Sequence, residues 1–196
     1  TRRLPLSRFS VSSPKEYSGS STFPAELFKG KATHSVVLRE GFENAVSMYT
    51  VPDRDVATVE CIPVAVYLNG EFWYDTYMQE KYNDTYFRQT FGVRNVEFYK
   101  TGINDEILGF IGTHDLTKDS DYEAFGEIID IQSYIDYICA NVYLGNTDYN
   151  EYQNTAMWRT VTRENDSYGD GRWRWAFYDM DLQTAGCRRN YGMTDS

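Results

Sequence analysis

The chain has 196 residues, enough for one or two domains with a buried core. An apolar fraction of 41% and an aromatic fraction of 16%, with 17 Tyr and 4 Trp, set it apart from disordered chains. Its formal net charge of −10 argues against a nonspecific grip on nucleic acid or anionic lipid, because both repel carboxylates.

The acidity has two readings, a solubilising surface or ligands for a divalent cation, and only local clustering can separate them. Cys61, Cys139 and Cys187 lie far apart without CxxC or Cys/His spacing, which indicates neither a zinc site nor a dense disulfide framework. Cys139 is expected to be buried. No apolar run reaches the ~18 residues of a membrane helix, and no signal-peptide pattern opens the chain at Thr1, as a trimmed fragment would also show.

In chain order, residues 1–31 mix Ser, Pro and Gly and predict irregular structure or edge strands. The β-branched run Ser35–Leu38 predicts a strand, and a helix can start near Glu43. Two β-prone runs, 62–68 and 71–78, flank Asn69-Gly70. That dipeptide accepts the positive φ a type I′ turn needs, so a hairpin is expected, with Glu80-Lys81 at its exit. Asp84 is placed as the cap of a short helix over Tyr86–Phe91, and Val96–Lys100 reads as a further strand.

From Ile128 the period changes. Ile128, Ile131, Ile135, Ile138 and Val142 recur at spacings of three and four, which predicts a helix with this stripe as its apolar face and Gly145 as its stop. Runs 155–161 and 173–178 read as strands, joined by the turn-rich segment 165–171. His34 and His114 are single and read as structural or surface residues. Together these elements predict an α+β chain, with a strand-rich lobe over 1–110, a second lobe over 111–196, and the change near Thr101–Ser120.

Two polar segments stand out. The loop 145–154 leaves the long helix with Asp148, Asn150, Gln153 and Asn154, and Asp179-Met180-Asp181 ends an aromatic strand. The plain reading of the loop is a turn whose Asn and Asp bond their own backbone. Two carboxylates at the end of a buried strand, however, repel each other unless cations or hydrogen bonds neutralise them. An antiparallel hairpin would bring both segments to one end. Asp148, Asn150 or Asn154, Asp179 and Asp181 would then lie within reach of one Mg²⁺ and its phosphate ligand.

The order helix, Asp-bearing loop, hairpin, Asp follows the catalytic-loop and metal-Asp logic of protein kinases, although HRD, DFG and G-x-G-x-x-G are absent. At the level of residues the chain resembles the CotH family of spore-coat and secreted proteins with an atypical kinase fold. The matching stretches are Val37–Gly41, Val66–Trp73, Tyr77–Lys81, Leu144–Asp148, Asn154–Arg159 and Trp173–Asp181. Departures are Tyr74-Asp75 where the family has Gly after the hairpin aromatic, and Gln183–Gly186 where it has an aromatic-Gly pair.

The resemblance implies a two-lobe atypical protein-kinase fold, here cut short at both ends, with Arg2 and Arg3 as remnants of a basic strand. It implies transfer of the ATP γ-phosphoryl to Ser/Thr of a secreted or coat protein, at a cell or spore surface. Asp148 would be the catalytic Asp, Asp179 and Asp181 metal ligands, and Asn154 (or Gln153) the second metal ligand. Glu80 and Lys100 would face the nucleotide. The alternative function is a non-catalytic carbohydrate- or protein-binding module of a surface or cellulosome-type assembly, which the aromatic content would suit.

Overall fold

A computed structural model describes residues 8–39, 42–51, 53–149, 152–164 and 167–180. It contains helices and two antiparallel sheets, an α+β architecture. Among the described residues no helix is long and apolar enough to cross a membrane.

The first sheet has the order β1-β2-β4-β3, with β1 at Phe9–Ser12, β2 at Ser35–Arg39, β3 at Cys61–Leu68 and β4 at Glu71–Glu80. The expected hairpin is β3–β4. Its turn has φ of 52° at Asn69 and 86° at Gly70, the left-handed pair that a right-twisted two-strand ribbon selects. The predicted edge strand in the first 31 residues is β1, on the outer side of β2. Helix α1 (Lys15–Ser18) follows it, and α2 (Phe42–Thr50) links β2 to the hairpin, where Tyr49 Oη donates to the Cys61 carbonyl at 2.9 Å.

Helix α3 (Asp84–Phe91) follows β4. Its cap is Asn83 rather than Asp84, because the Asn83 side chain accepts from Tyr86 N. Asp84 sits instead in the first turn, where a carboxylate meets the positive end of the helix dipole.

The second sheet has the order β5-β6-β7, with β5 at Val96–Tyr99, β6 at Ala156–Thr160 and β7 at Arg174–Ala176. Residue 57 extends it, since Ala57 N donates to the Trp175 carbonyl at 3.0 Å and Phe177 N donates to the Ala57 carbonyl at 2.9 Å. This sheet therefore draws β5 and Ala57 from the part of the chain before the 110/111 division, and β6 and β7 from after it. Helices α4 (Asp105–Thr113) and α5 (Asp119–Gly126) fill the interval before the long helix α6 (Ile131–Leu144).

Helix α6 begins three residues later than Ile128, and its inward face is shifted: Ile128, Ile131 and Ile138 of the expected stripe pack against the core from its margin. Its buried residues are Ser133, Asp136, Tyr137, Ala140, Asn141 and Leu144, while Ile135 is 46% and Val142 70% exposed. Cys139, expected inside, is exposed. The polar groups can go in because they are bonded. Ser133 Oγ accepts from Trp175 N at 2.9 Å, Asp136 accepts from Asp55 N at 2.9 Å, and Asn141 Nδ2 donates to the Tyr137 carbonyl at 2.9 Å. His34 and His114 lie at the surface with local partners, His34 Nδ1 beside the Ser21 carbonyl at 2.5 Å and His114 stacked on Phe110.

Trp158, Trp173, Trp175 and Phe177 are almost fully buried and anchor the core beneath the second sheet. Truncating any one to Ala costs about 3–5 kcal/mol. At the turn end of the β6–β7 hairpin lies a buried charge network. Arg174, 2% exposed, reaches Asp170 at 2.8 Å and Asp130 at 3.0 Å, and Asp130 caps α6 by accepting from Ser133 N. Burial alone would raise the Asp170 carboxyl, but bonds from Arg174 and Arg172 outweigh it and hold it far below the usual carboxylate value. The segment 167–171, expected as a plain turn, is thus tied to the helix start.

Candidate active site

The open end of the β6–β7 hairpin gathers the two polar segments. Antiparallel pairing sets Ala156 opposite Ala176, so Asn154 and Asp179 leave the sheet at the same edge. Asn146 Nδ2 lies 3.5 Å from Met180 Sδ and 2.7 Å from Asn141 Oδ1, which clamps the loop between α6 and the residue after Asp179. Asn146 Oδ1 also accepts from Asp148 N at 3.1 Å.

Asp148 is half-buried and accepts twice, from Gln153 Nε2 at 3.1 Å and Asn154 Nδ2 at 2.9 Å. Each carboxylate oxygen still has lone-pair capacity, so the amides fix its direction without exhausting it. Asn154 has φ of 53° and donates through nitrogen, leaving its carbonyl oxygen as the neutral donor a hard cation takes. Asn150 and Asp181 lie outside the described residues.

Asp179 also has φ of 53°, a left-handed conformation uncommon for a residue other than glycine. Its partner comes from the other sheet. Arg39 Nη2, at the end of β2, donates to Asp179 Oδ1 at 2.6 Å, and Arg8 Nη2 approaches the same oxygen at 4.0 Å.

A cavity of about 390 Å³ opens around this bond, lined by Arg8, Val37, Arg39, Gln79, Glu80, Lys81, Tyr82, Phe98, Lys100, Tyr178 and Asp179. One part of its wall is aromatic or aliphatic, and the rest carries Arg8, Arg39, Lys81 and Lys100, a concentration of positive charge in a chain of net −10. The two residues expected to face a nucleotide, Glu80 and Lys100, therefore share one cleft with Asp179.

The Glu80 carboxylate is already engaged. Lys31 Nζ lies 2.8 Å from Glu80 Oε2 and 3.1 Å from Glu60 Oε1. Burial opposes the Lys31 charge, yet the two carboxylates win and raise its pKa, while burial pushes Glu80 upward against the pull of Lys31. Glu80 thus joins β4 to the segment before β2 instead of offering its carboxylate to the cleft. Tyr82 sits at the exit of β4, its hydroxyl 2.9 Å from the Ala57 carbonyl and 2.8 Å from the Phe177 carbonyl.

Sequence reasoning assigned no role to Arg39 or Lys31. Arg39 stood inside a recognised stretch, Val37–Gly41, but its partner is 140 residues away and only the meeting of the two sheets reveals it.

From α4 onward, including the 145–154 loop and Asp179, the chain matches a family model over residues 103–196. The matching family is CotH kinase protein. The resemblance read from the residues and this match agree. The CotH match covers Asp148, Asn154, Asp179 and Asp181, whereas Arg39, Glu80 and Lys100 precede it. No curated protein matches the chain.

A divalent cation and a nucleotide are the groups such a family calls for. Among the described residues no group of three or more His, Cys, Asp and Glu is placed to hold a metal ion by itself. Mg²⁺, however, usually takes only one or two carboxylates and completes its shell with water and substrate phosphates. Asp179 and the carbonyl of Asn154 fit that pattern, and the cations of the cleft fit a polyphosphate.

Proposed function

We propose that this chain is a kinase-like ATP-binding domain of the CotH type that transfers the γ-phosphoryl to a Ser/Thr hydroxyl of a protein at a cell or spore surface. One observation carries the reading, the cation-lined cleft between the two sheets with Asp179 in it, inside an acidic chain. A two-lobe kinase-like arrangement follows on this reading. The first sheet would form the nucleotide-facing lobe and the elements from α4 onward most of the second, near the 1–110 and 111–196 division.

Bound Mg²⁺-ATP supplies the transferable phosphoryl group and neutralises its developing charge. Asp179 and Asn154 would hold the metal, with Asp181 joining them. Lys100, Lys81 and Arg39 would meet phosphate oxygens, and the Val37, Tyr82, Phe98 and Tyr178 wall would take the base. Asp148, aimed by Gln153 and Asn154, would orient the acceptor hydroxyl and remove its proton. Glu80, held by Lys31, would shape the cleft through its backbone.

Calorimetric titration of Mg²⁺-ATP tests this directly. Wild type should bind and Asp179→Asn should bind at least about 10-fold more weakly, with both folded; a folded wild type that gives no binding refutes the reading. With γ-labelled ATP and a generic protein substrate, Asp148→Asn should lose label transfer while keeping nucleotide binding.

The alternative, a non-catalytic binding module, draws on the exposed Tyr67, Leu68 and Phe72 at the β3–β4 tip. It predicts binding to a partner or glycan that Asp179→Asn leaves unchanged.

A further inference from the structure

The Arg39–Asp179 bond has a bearing on how the cleft fills, and the inference rests on the ATP-binding reading above. The two side chains are only 12% and 25% exposed, and their contact at 2.6 Å is charge-assisted, the stronger kind of hydrogen bond. It joins the end of β2 to the residue that the other sheet presents in a left-handed backbone conformation. Such a conformation persists where the surroundings over-determine it, and Arg39 is one of the groups that do so.

We propose that Arg39 couples the loading of metal and polyphosphate, so that neither binds well alone. Its guanidinium stands 2.6 Å from Asp179 Oδ1 and competes, by charge and by position, with a divalent cation for that oxygen. A free cation must displace it with little else to gain. A polyphosphate offers the planar guanidinium a bidentate set of oxygens, the geometry Arg recognises best. Once the guanidinium turns to phosphate, Asp179 Oδ1 is released to the cation that the same phosphates carry.

Glu80, the other carboxylate lining the cleft among the described residues, is held by Lys31 at 2.8 Å and is not offered for this duty. Arg39 is on this account a positioning residue, acting on the metal through Asp179.

The test measures Mn²⁺ alone, tripolyphosphate alone, and each in the presence of the other, on wild type, Arg39→Met and Arg39→Lys. In wild type each ligand should tighten the other about 10-fold or more, by the same factor in both directions. Arg39→Met should bind Mn²⁺ alone about 10-fold tighter than wild type, bind tripolyphosphate more weakly, and lose most of the coupling. Arg39→Lys should recover part of it.

Unchanged Mn²⁺ affinity in folded Arg39→Met overturns the proposal, and so does wild-type binding of both ligands without mutual enhancement. If Arg39→Met fails to fold, Arg39→Lys decides: it should bind Mn²⁺ alone more tightly than wild type and show weaker coupling, and coupling equal to wild type overturns the proposal. Failure of wild type to bind tripolyphosphate or Mg²⁺-ATP at all overturns this proposal together with the ATP-binding reading. Nucleotide binding without coupling overturns this proposal alone.

Discussion

Arg174 and Arg39 both hold an aspartate, at 2.8 Å to Asp170 and 2.6 Å to Asp179, yet their settings differ. Arg174 is 2% exposed and packs among Trp158 and Tyr168, with further bonds to Asp130 and the Ser167 carbonyl. Arg39 lines a cavity, and the carboxylate it holds is partly open to that cavity. The first arrangement encloses its guanidinium, beside more exposed carboxylates, and ties the β6–β7 turn to the start of α6. The second leaves room for an incoming ligand to compete. Enclosure, more than the chemistry of the pair, separates a structural ion pair from one that can exchange partners.

The comparison breaks most visibly at Arg174. Arg174→Met should lose about 2–3 kcal/mol of stability in urea titration, because Asp130 and the half-buried Asp170 would keep only the more exposed Arg172, at 3.6 and 2.6 Å. A loss under 1 kcal/mol would mean that the network is replaceable. At the other pair, Asp179→Asn should weaken Mg²⁺-ATP binding by at least about 10-fold, or 1.4 kcal/mol, while the urea midpoint moves far less than for Arg174→Met. Excess EDTA should abolish the wild-type heat of nucleotide binding if the metal and Asp179 act together.

Acid sharpens the contrast further. Asp170 is depressed in the folded state against an ordinary value of 3.8, so its stabilisation is complete above that pH and drains away as the pH falls toward the lower folded value. The urea midpoint of wild type should therefore fall below about pH 4, and the fall should be shallower in Asp170→Asn.

The smallest effect belongs to the outer face of α6. Ile135→Ser and Val142→Thr should each change stability by no more than about 0.5 kcal/mol, measured in the same titration. A cost of 2 kcal/mol or more, as for a core aliphatic, would show that this face is covered in solution.

That helix also shows where sequence reading ends. The isoleucine spacing identified α6 and its stop at Gly145, since both depend on neighbours along the chain. The inward face was read only in part: Ile128, Ile131 and Ile138 pack against the core, but Ser133, Asp136 and Asn141 are buried beside them against partners on β7, at residue 55 and within the helix, which no periodicity reports. The Asn69-Gly70 hairpin was fully legible, its turn being a property of two residues.

Helices α4 and α5 went unassigned, although Asn104 caps Glu106 ahead of Ile107, Leu108, Phe110 and Ile111. At the site, the common edge for Asn154 and Asp179 followed from hairpin topology alone. The capture of Glu80 by Lys31 and of Asp179 by Arg39 needed tertiary structure, since each spans more than one element.

Tyr82 gives the cleft a fixed point. One phenolic proton is shared between the carbonyls of Ala57 and Phe177, where β4 ends against the edge of the second sheet. A single hydroxyl thus fastens the exit of β4 to two points of the second sheet, so Tyr82→Phe removes both fastenings together.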